Sequence, residues 1–359
     1  MAGRLLPGKV GSNARFAFDN ATMHHARTVA APMSTKGPIM ISQPHSSERF
    51  PPWGMLVERH ADAVKNPEIP MHWRPTVVDP GVRRAQWDAW CEGIITDLSH
   101  KLWPRRQSGA WVGTARDWVD ELTRDDLGLL TSSLLDMLDR VVDSPAADAQ
   151  PGLTHRTLFR SEDTLGFGEF FPVYGRAIVL EVEKVATGPV GDWADDCINT
   201  KSGDLDLVLK DSLQRPRAYQ MAHVLGISGF RHQVAKSANT PSMISGHSFH
   251  GLCGGMAVEE LLRHANATSA YGPALEQYAA DVGDRRVFAG VHYPSDNIGS
   301  WMTALRVAKE CCSEPDQSRR FVLNAIGRSH VAKAIANYAS AHPSGALASA
   351  WKMLREEMK

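Results

Sequence analysis

From about residue 83 onward the apolar residues of this chain return every three or four positions, a spacing that predicts helices. In DDLGLLTSSLLDMLDRVVD, residues 125–143, Leu127, Leu130, Leu134, Met137, Leu138 and Val141 fall on one face of a single amphipathic helix. Residues 251–262 carry Gly254, Gly255 and Ala257 among larger apolar side chains, which suits a helix packed closely against a neighbour. Residues 298–309 and 320–339 each predict a helix, and AWKMLREEMK predicts a polar terminal one. GRAIVLEVEKVA, residues 175–186, fits a strand by its Val/Glu alternation and a helix by its length, and its neighbours favour helix. β-Branched runs joined by Asn-Gly or Asp-Gly turns are missing, so the expected fold class is all-α, a helical bundle.

Composition narrows the functional classes. With 359 residues and 43% hydrophobic side chains the chain can fill a large core. Its 39 basic and 40 acidic residues nearly cancel, so no overall field draws in nucleic acid or an anionic membrane, and any anion site must be local. Residues 1–53, rich in Pro, Ser, His and Met without steady periodicity, read as an irregular or disordered arm, and residues 54–359 as one helical domain. Neither a secretory signal nor an apolar run long enough to span a bilayer is recognised, which predicts a cytoplasmic protein without a transmembrane segment. Cys91, Cys197, Cys253, Cys311 and Cys312 form no CxxC pair and point to neither a disulfide framework nor a zinc site. His24, His25 and His45 lie in the arm and are expected to face solvent. The acidic segment GDWADDCINTKSGDLD, residues 191–206, lacks the glycine and glutamate positions of a calcium loop and reads as a solvated loop.

Three segments concentrate the chemistry: KDSLQRPRAYQ (210–220), TPSMISGHSFHG (240–251) and DRRVFAGVHYPSD (284–296). Lys210 and Arg217 are two helical turns apart, so on one helix they share a face, with Pro216 bending or ending it. Ser245 and Gly246 at the start of a helix can turn a hydroxyl and backbone N–H groups towards an anion. His292 and Asp296 are spaced so that the carboxylate can hold the imidazole N–H. Lys210, Arg217 and Arg286 together can neutralise a phosphoryl group, Arg through its fork and Lys as a point charge. Two histidines, His247 and His292, then remain for the reaction, one to attack and one to protonate the leaving oxygen. His250, one turn beyond His247, either lines the pocket or packs under it.

These segments resemble the signature of the superfamily of type 2 phosphatidic acid phosphatases and vanadium haloperoxidases, which includes bacterial class A acid phosphatases. Its pattern is K-x6-R-P, then P-S-G-H, then S-R-x3-G-x-H-x3-D. Lys210 and Arg217 keep the first spacing, Ser245, Gly246 and His247 the second, and Arg286, Gly290, His292 and Asp296 the third. Ala218, Ile244 and Arg285 stand where the pattern has Pro, Pro and Ser. The resemblance implies an all-α fold of that type and a phosphatase that needs no metal or other cofactor. It implies that His292 is the nucleophile, Asp296 its orienting carboxylate and His247 the general acid. Lys210, Arg217, Ser245, Gly246 and Arg286 would then bind the phosphoryl oxygens of a phosphorylated small molecule or lipid. The same cage in the haloperoxidase branch holds vanadate at His292. The shorter chain and the S-G-H-S sequence favour the phosphatase branch over it. A non-catalytic anion-binding protein is the third alternative.

Overall fold

The structure, a computed structural model, describes residues 79–103, 119–143, 152–162, 205–233 and 235–359. All of them belong to one compact unit, residues 39–359. Its helices are α1 (Pro80–Lys101), α2 (Glu121–Leu129), α3 (His155–Glu162), α4 (Leu205–Leu213), α5 (Ala218–Val224), α6 (Gly246–His264), α7 (Thr268–Phe288), α8 (Pro294–Cys311), α9 (Pro315–Arg328), α10 (His330–Ala341) and α11 (Ala346–Glu357). No strand occurs among the described residues, where the β pairing is an isolated bridge between Val141 and Thr154. The fold is all-α, as the spacing predicts. None of the described helices is long and apolar enough to cross a membrane. The arm, residues 175–186, Cys197 and the three arm histidines lie outside the described residues.

The core is built around α8, which is buried at every position from Pro294 to Leu305. A helix enclosed on all sides needs no polar face, so amphipathic spacing understates it. The pair α6 and α7 runs beside it, and here the small residues act as expected. A Cβ on Gly251 would lie 2.8 Å from the Ala279 carbonyl, one on Gly255 2.6 Å from Phe321, and one on Gly283 2.6 Å from Ser248. Rising numbers on α6 thus meet falling numbers on α7, an antiparallel pair whose backbones approach too closely for side chains at these positions. Gly283→Ala is expected to destabilise the fold by about 1–3 kcal/mol through overpacking against Ser248. Gly327→Ala on α9, where nothing lies within 4 Å of the added carbon, should be neutral or stabilising. Denaturant midpoints of the two variants measure the contrast.

Two predicted helices are corrected. Residues 125–143 do not form one helix: α2 stops at Leu129, a π turn covers Leu130–Leu134, a 3₁₀ turn covers Leu135–Asp139, and the chain then extends. Thr131 donates back to the Leu127 carbonyl, and Ser132 and Ser133 to that of Leu129, a competition that distorts helical ladders. Val141 is consequently exposed, while Asp126 is fully buried. Residues 320–339 are likewise two helices parted at Ser329. Its side chain caps α10 through the Ala332 N–H, and Asp284 of α7 accepts from the Ser329 hydroxyl (2.7 Å) and the His330 N–H (2.6 Å). Burial and the neighbouring Asp281 push the Asp284 carboxyl up to about 7. The described cysteines are buried and carry no disulfide, and burial pushes the Cys91 thiol up to about 12.

Candidate functional site

Lys210 and Arg217 meet through a corner and not along one helical face. α4 ends at Leu213, Gln214 takes a left-handed φ of 49°, Arg215 and Pro216 lie outside any helix, and Arg217 becomes the N-cap of α5. The Lys210 ammonium donates to the Ile244 carbonyl at 2.6 Å and pairs with Asp206 at 3.3 Å. Burial pulls the Lys210 ammonium below its usual value, with Asp206 opposing. Burial alone would raise Asp206, but Lys210 and His250 hold it well below the carboxylate range. Asp206 was expected in a solvated loop; it is instead buried on α4.

Ser245 and Gly246 open α6 as their spacing suggests, with the Ser245 hydroxyl accepting from the Ser248 N–H at 3.4 Å. A Cβ at 246 would lie 2.7 Å from an Asp206 oxygen and 3.2 Å from the Lys210 nitrogen, so a side chain there would displace that pair. The first turn of α6 therefore presses its N–H end against the Lys210–Asp206 pair. Gly290 has φ +70°, and a Cβ would lie 2.9 Å from the Arg231 carbonyl. This turn ends α7 and delivers His292 to the N-terminus of α8.

His292 is held at both ring nitrogens. Nδ1 lies 3.0 Å from Asp296 and Nε2 2.6 Å from the Arg217 guanidinium. Arginine can only donate, so Nε2 carries the lone pair and Nδ1 the proton given to Asp296. Burial, then Arg217 and Lys210, bring His292 down to about 3 against the opposing pull of Asp296. The imidazole is thus a neutral base with its reactive electron pair aimed at a cation. Arg217 also donates to Thr240, Val291 and Ser237 carbonyls. Asp296 accepts from the Ser242 hydroxyl, the Tyr293 N–H (3.0 Å) and Arg215 (2.9 Å). Burial alone would raise this carboxyl; Arg215 and His292 hold it well below the usual range.

His247 is half-buried at the first turn of α6. Burial first, then Arg286, His250, His292 and Lys210, hold it well below 6.5. Arg286 on α7 donates to Glu162 at 2.9 Å and the Phe159 carbonyl at 3.3 Å, with its guanidinium 4.4 Å from the Phe159 ring. Arg285 grips the same Glu162 and faces Asp281 at 3.6 Å. His250, one turn further along α6, is partly exposed, its Nε2 3.4 Å from Asp206. The arrangement brings Arg217 and Asp296 onto the two nitrogens of His292, sets Lys210 against Gly246, and places the charges of Lys210 and Arg286 and the neutral ring of His292 around His247. Such a group can bind an anion, attack it with a neutral imidazole and move a proton through a second one.

Sequence reasoning missed Arg215, Asp126, Ser242, Ser295 and Glu162. Arg215 was visible only as the Arg of an Arg-Pro pair, and Asp126 only as a charge on an otherwise apolar helix face. Asp281, Asp284 and His330 also bring ligand atoms within 4.8 Å of one another. The Asp284 oxygens, however, already cap α10, and Asp281 faces Arg285 and Gln277. No family model, curated protein or solved structure matches the chain.

Proposed function

We propose that this protein hydrolyses phosphate monoesters through a phosphohistidine on His292. The observation that carries this reading is the fixed state of His292, neutral, with Nδ1–H on Asp296 and the Nε2 electron pair facing Arg217. Lys210, Arg217, Arg286 and the N-terminal turn of α6 supply the positive charge for the phosphoryl oxygens. Arg217 transfers its Nη1 donor from Nε2 to a phosphoryl oxygen as the ester enters. Nε2 then forms the N–P bond while the P–O bond to the leaving group breaks, its electron pair going to the leaving oxygen. A protonated His247 donates to that oxygen. In the second half, His247 takes a proton from water as the water oxygen displaces Nε2, releasing inorganic phosphate.

The charge balance around His247 sets the pH dependence. Burial first, and then the cations around it, hold His247 neutral at pH 7, whereas the reaction needs it protonated. A bound dianion offsets those cations and raises His247, but kcat/KM reports the free enzyme. kcat/KM should therefore peak in acid, above the value near 3 of His292 and below 6.5, and fall as pH rises through the depressed His247 value. The test is phosphate release from alkyl and aryl monoesters across pH, run beside bromide oxidation by the vanadate-loaded protein. The proposal requires phosphate release with an acid optimum, and a His247→Ala loss that is larger for alkyl than for activated aryl esters. A profile still rising at pH 8 would contradict the role of His247. Bromide oxidation without ester hydrolysis would assign the site to the haloperoxidase alternative, and anion binding without either reaction to a non-catalytic binder.

A further inference from the structure

A line of alternating charge runs from α2 to the reacting nitrogen. Asp126 meets one arm of the Arg215 guanidinium at 2.9 Å, the other arm meets Asp296 at 2.9 Å, and Asp296 meets His292 Nδ1 at 3.0 Å. Asp126, Arg215 and Asp296 are fully buried, and His292 is nearly so. Arg215 is fixed further by the Ser295 hydroxyl at 2.7 Å and by the Tyr293 ring, 3.9 Å from its central carbon. Ser295 donates a hydrogen bond from its hydroxyl to Asp126 and its N–H to the same carboxylate at 3.0 Å. The fork gives each carboxylate its own nitrogen, which a single ammonium cannot do.

We infer that Arg215 and Asp126 are positioning residues that orient Asp296 and set the basicity of His292 through it, an inference resting on the reading of His292 as the nucleophile. Arg215 draws charge density from the Asp296 carboxylate and so weakens its pull on the Nδ1 proton. Asp126 shares the guanidinium and moderates that effect. Burial pushes Asp126 up to about 6 against Arg215 and Ser295, consistent with one cation divided between two carboxylates. The other groups facing His292 are Arg217 at the start of α5, Lys210 on α4 and His247 on α6, while Arg286 on α7 acts on His247. None of these residues is altered in the relay variants.

The two ends of the relay therefore predict opposite effects. In Arg215→Gln, Asp296 keeps its full charge and the Nδ1–H bond strengthens, moving the His292 Nδ1 proton resonance downfield at neutral pH. In Asp126→Asn, Arg215 acts on Asp296 undivided and the same resonance moves upfield. The Asp126→Asn/Arg215→Gln double variant removes one charge of each sign and, with no guanidinium left to share, should shift downfield as far as Arg215→Gln. On an aryl phosphate, Arg215→Gln should lower kcat about 10- to 100-fold with little change in KM, the scale seen when a supporting partner of a functional histidine is lost. Circular dichroism and thermal midpoints establish that each variant is folded. Resonances of folded variants that stay put or move in one direction would overturn the inference. Opposite shifts in a protein that hydrolyses no ester would preserve the relay and reject the phosphatase reading.

Discussion

His292→Ala is expected to abolish phosphate release, with kcat falling by about 10⁴-fold or more, because the proposed reaction has no covalent path without Nε2. The side chain is enclosed between Arg217 and Asp296, so alanine removes the attacking nitrogen together with the ring while leaving the two charged residues in the sequence. Asp296→Asn should be milder, about 10²- to 10⁴-fold, since an amide can present its N–H to Nδ1 and turn the ring to the wrong tautomer without deleting it. Initial rates on an activated aryl phosphate, with folding checked by thermal midpoint, separate the two. Near-normal turnover by His292→Ala would remove His292 from the reaction.

The second large effect is expected at Arg217. This guanidinium spans the Thr240, Ser237 and Val291 carbonyls and His292 Nε2, and in the proposed reaction the Nη1 donor now on Nε2 passes to a phosphoryl oxygen. Arg217→Ala should lower kcat/KM by about 10²- to 10³-fold, on the order of 3–4 kcal/mol of lost transition-state stabilisation. Inhibition by vanadate, whose trigonal-bipyramidal form resembles the transferring phosphoryl group, should weaken in parallel. Arg217→Lys should recover part of the loss and no more, because a point charge cannot hold the carbonyls and the anion together. Parallel loss of turnover and vanadate binding marks a transition-state contact. A rise in KM with kcat and vanadate inhibition unchanged would mark Arg217 as a ground-state contact alone.

Local spacing made much of this site legible. The His292–Asp296 pair, the Ser245 cap and the Gly246 and Gly290 turns each depend on neighbours within a few residues, and the structure places them as those spacings suggest. Lys210 and Arg217 do come to one site, although by a corner at Gln214 that a helical wheel does not contain. Contacts between distant residues left no such trace. Arg215 finds Asp126 across 89 positions, and Arg286 finds Glu162 across 124, partnerships that no period along the chain encodes. The break at Ser329 was hidden because α9 and α10 keep apolar spacing on both sides of it. What parts them is Asp284, 45 residues earlier, accepting from Ser329. The interrupted helix after α2 reflects competition by Thr131, Ser132 and Ser133 for carbonyls that an uninterrupted ladder would use.

A covalent bond between phosphorus and His292 can be trapped and located. The protein would be mixed with p-nitrophenyl phosphate, quenched in alkaline denaturant, where phosphohistidine survives and acid would destroy it, and analysed by peptide mass spectrometry. The proposed function predicts one phosphoryl group on the peptide bearing His292, on Nε2 because Nδ1 is engaged by Asp296, and its absence from His292→Ala. Hydrolysis of the ester with no phosphoryl group at His292, or with the label on another residue, would contradict it.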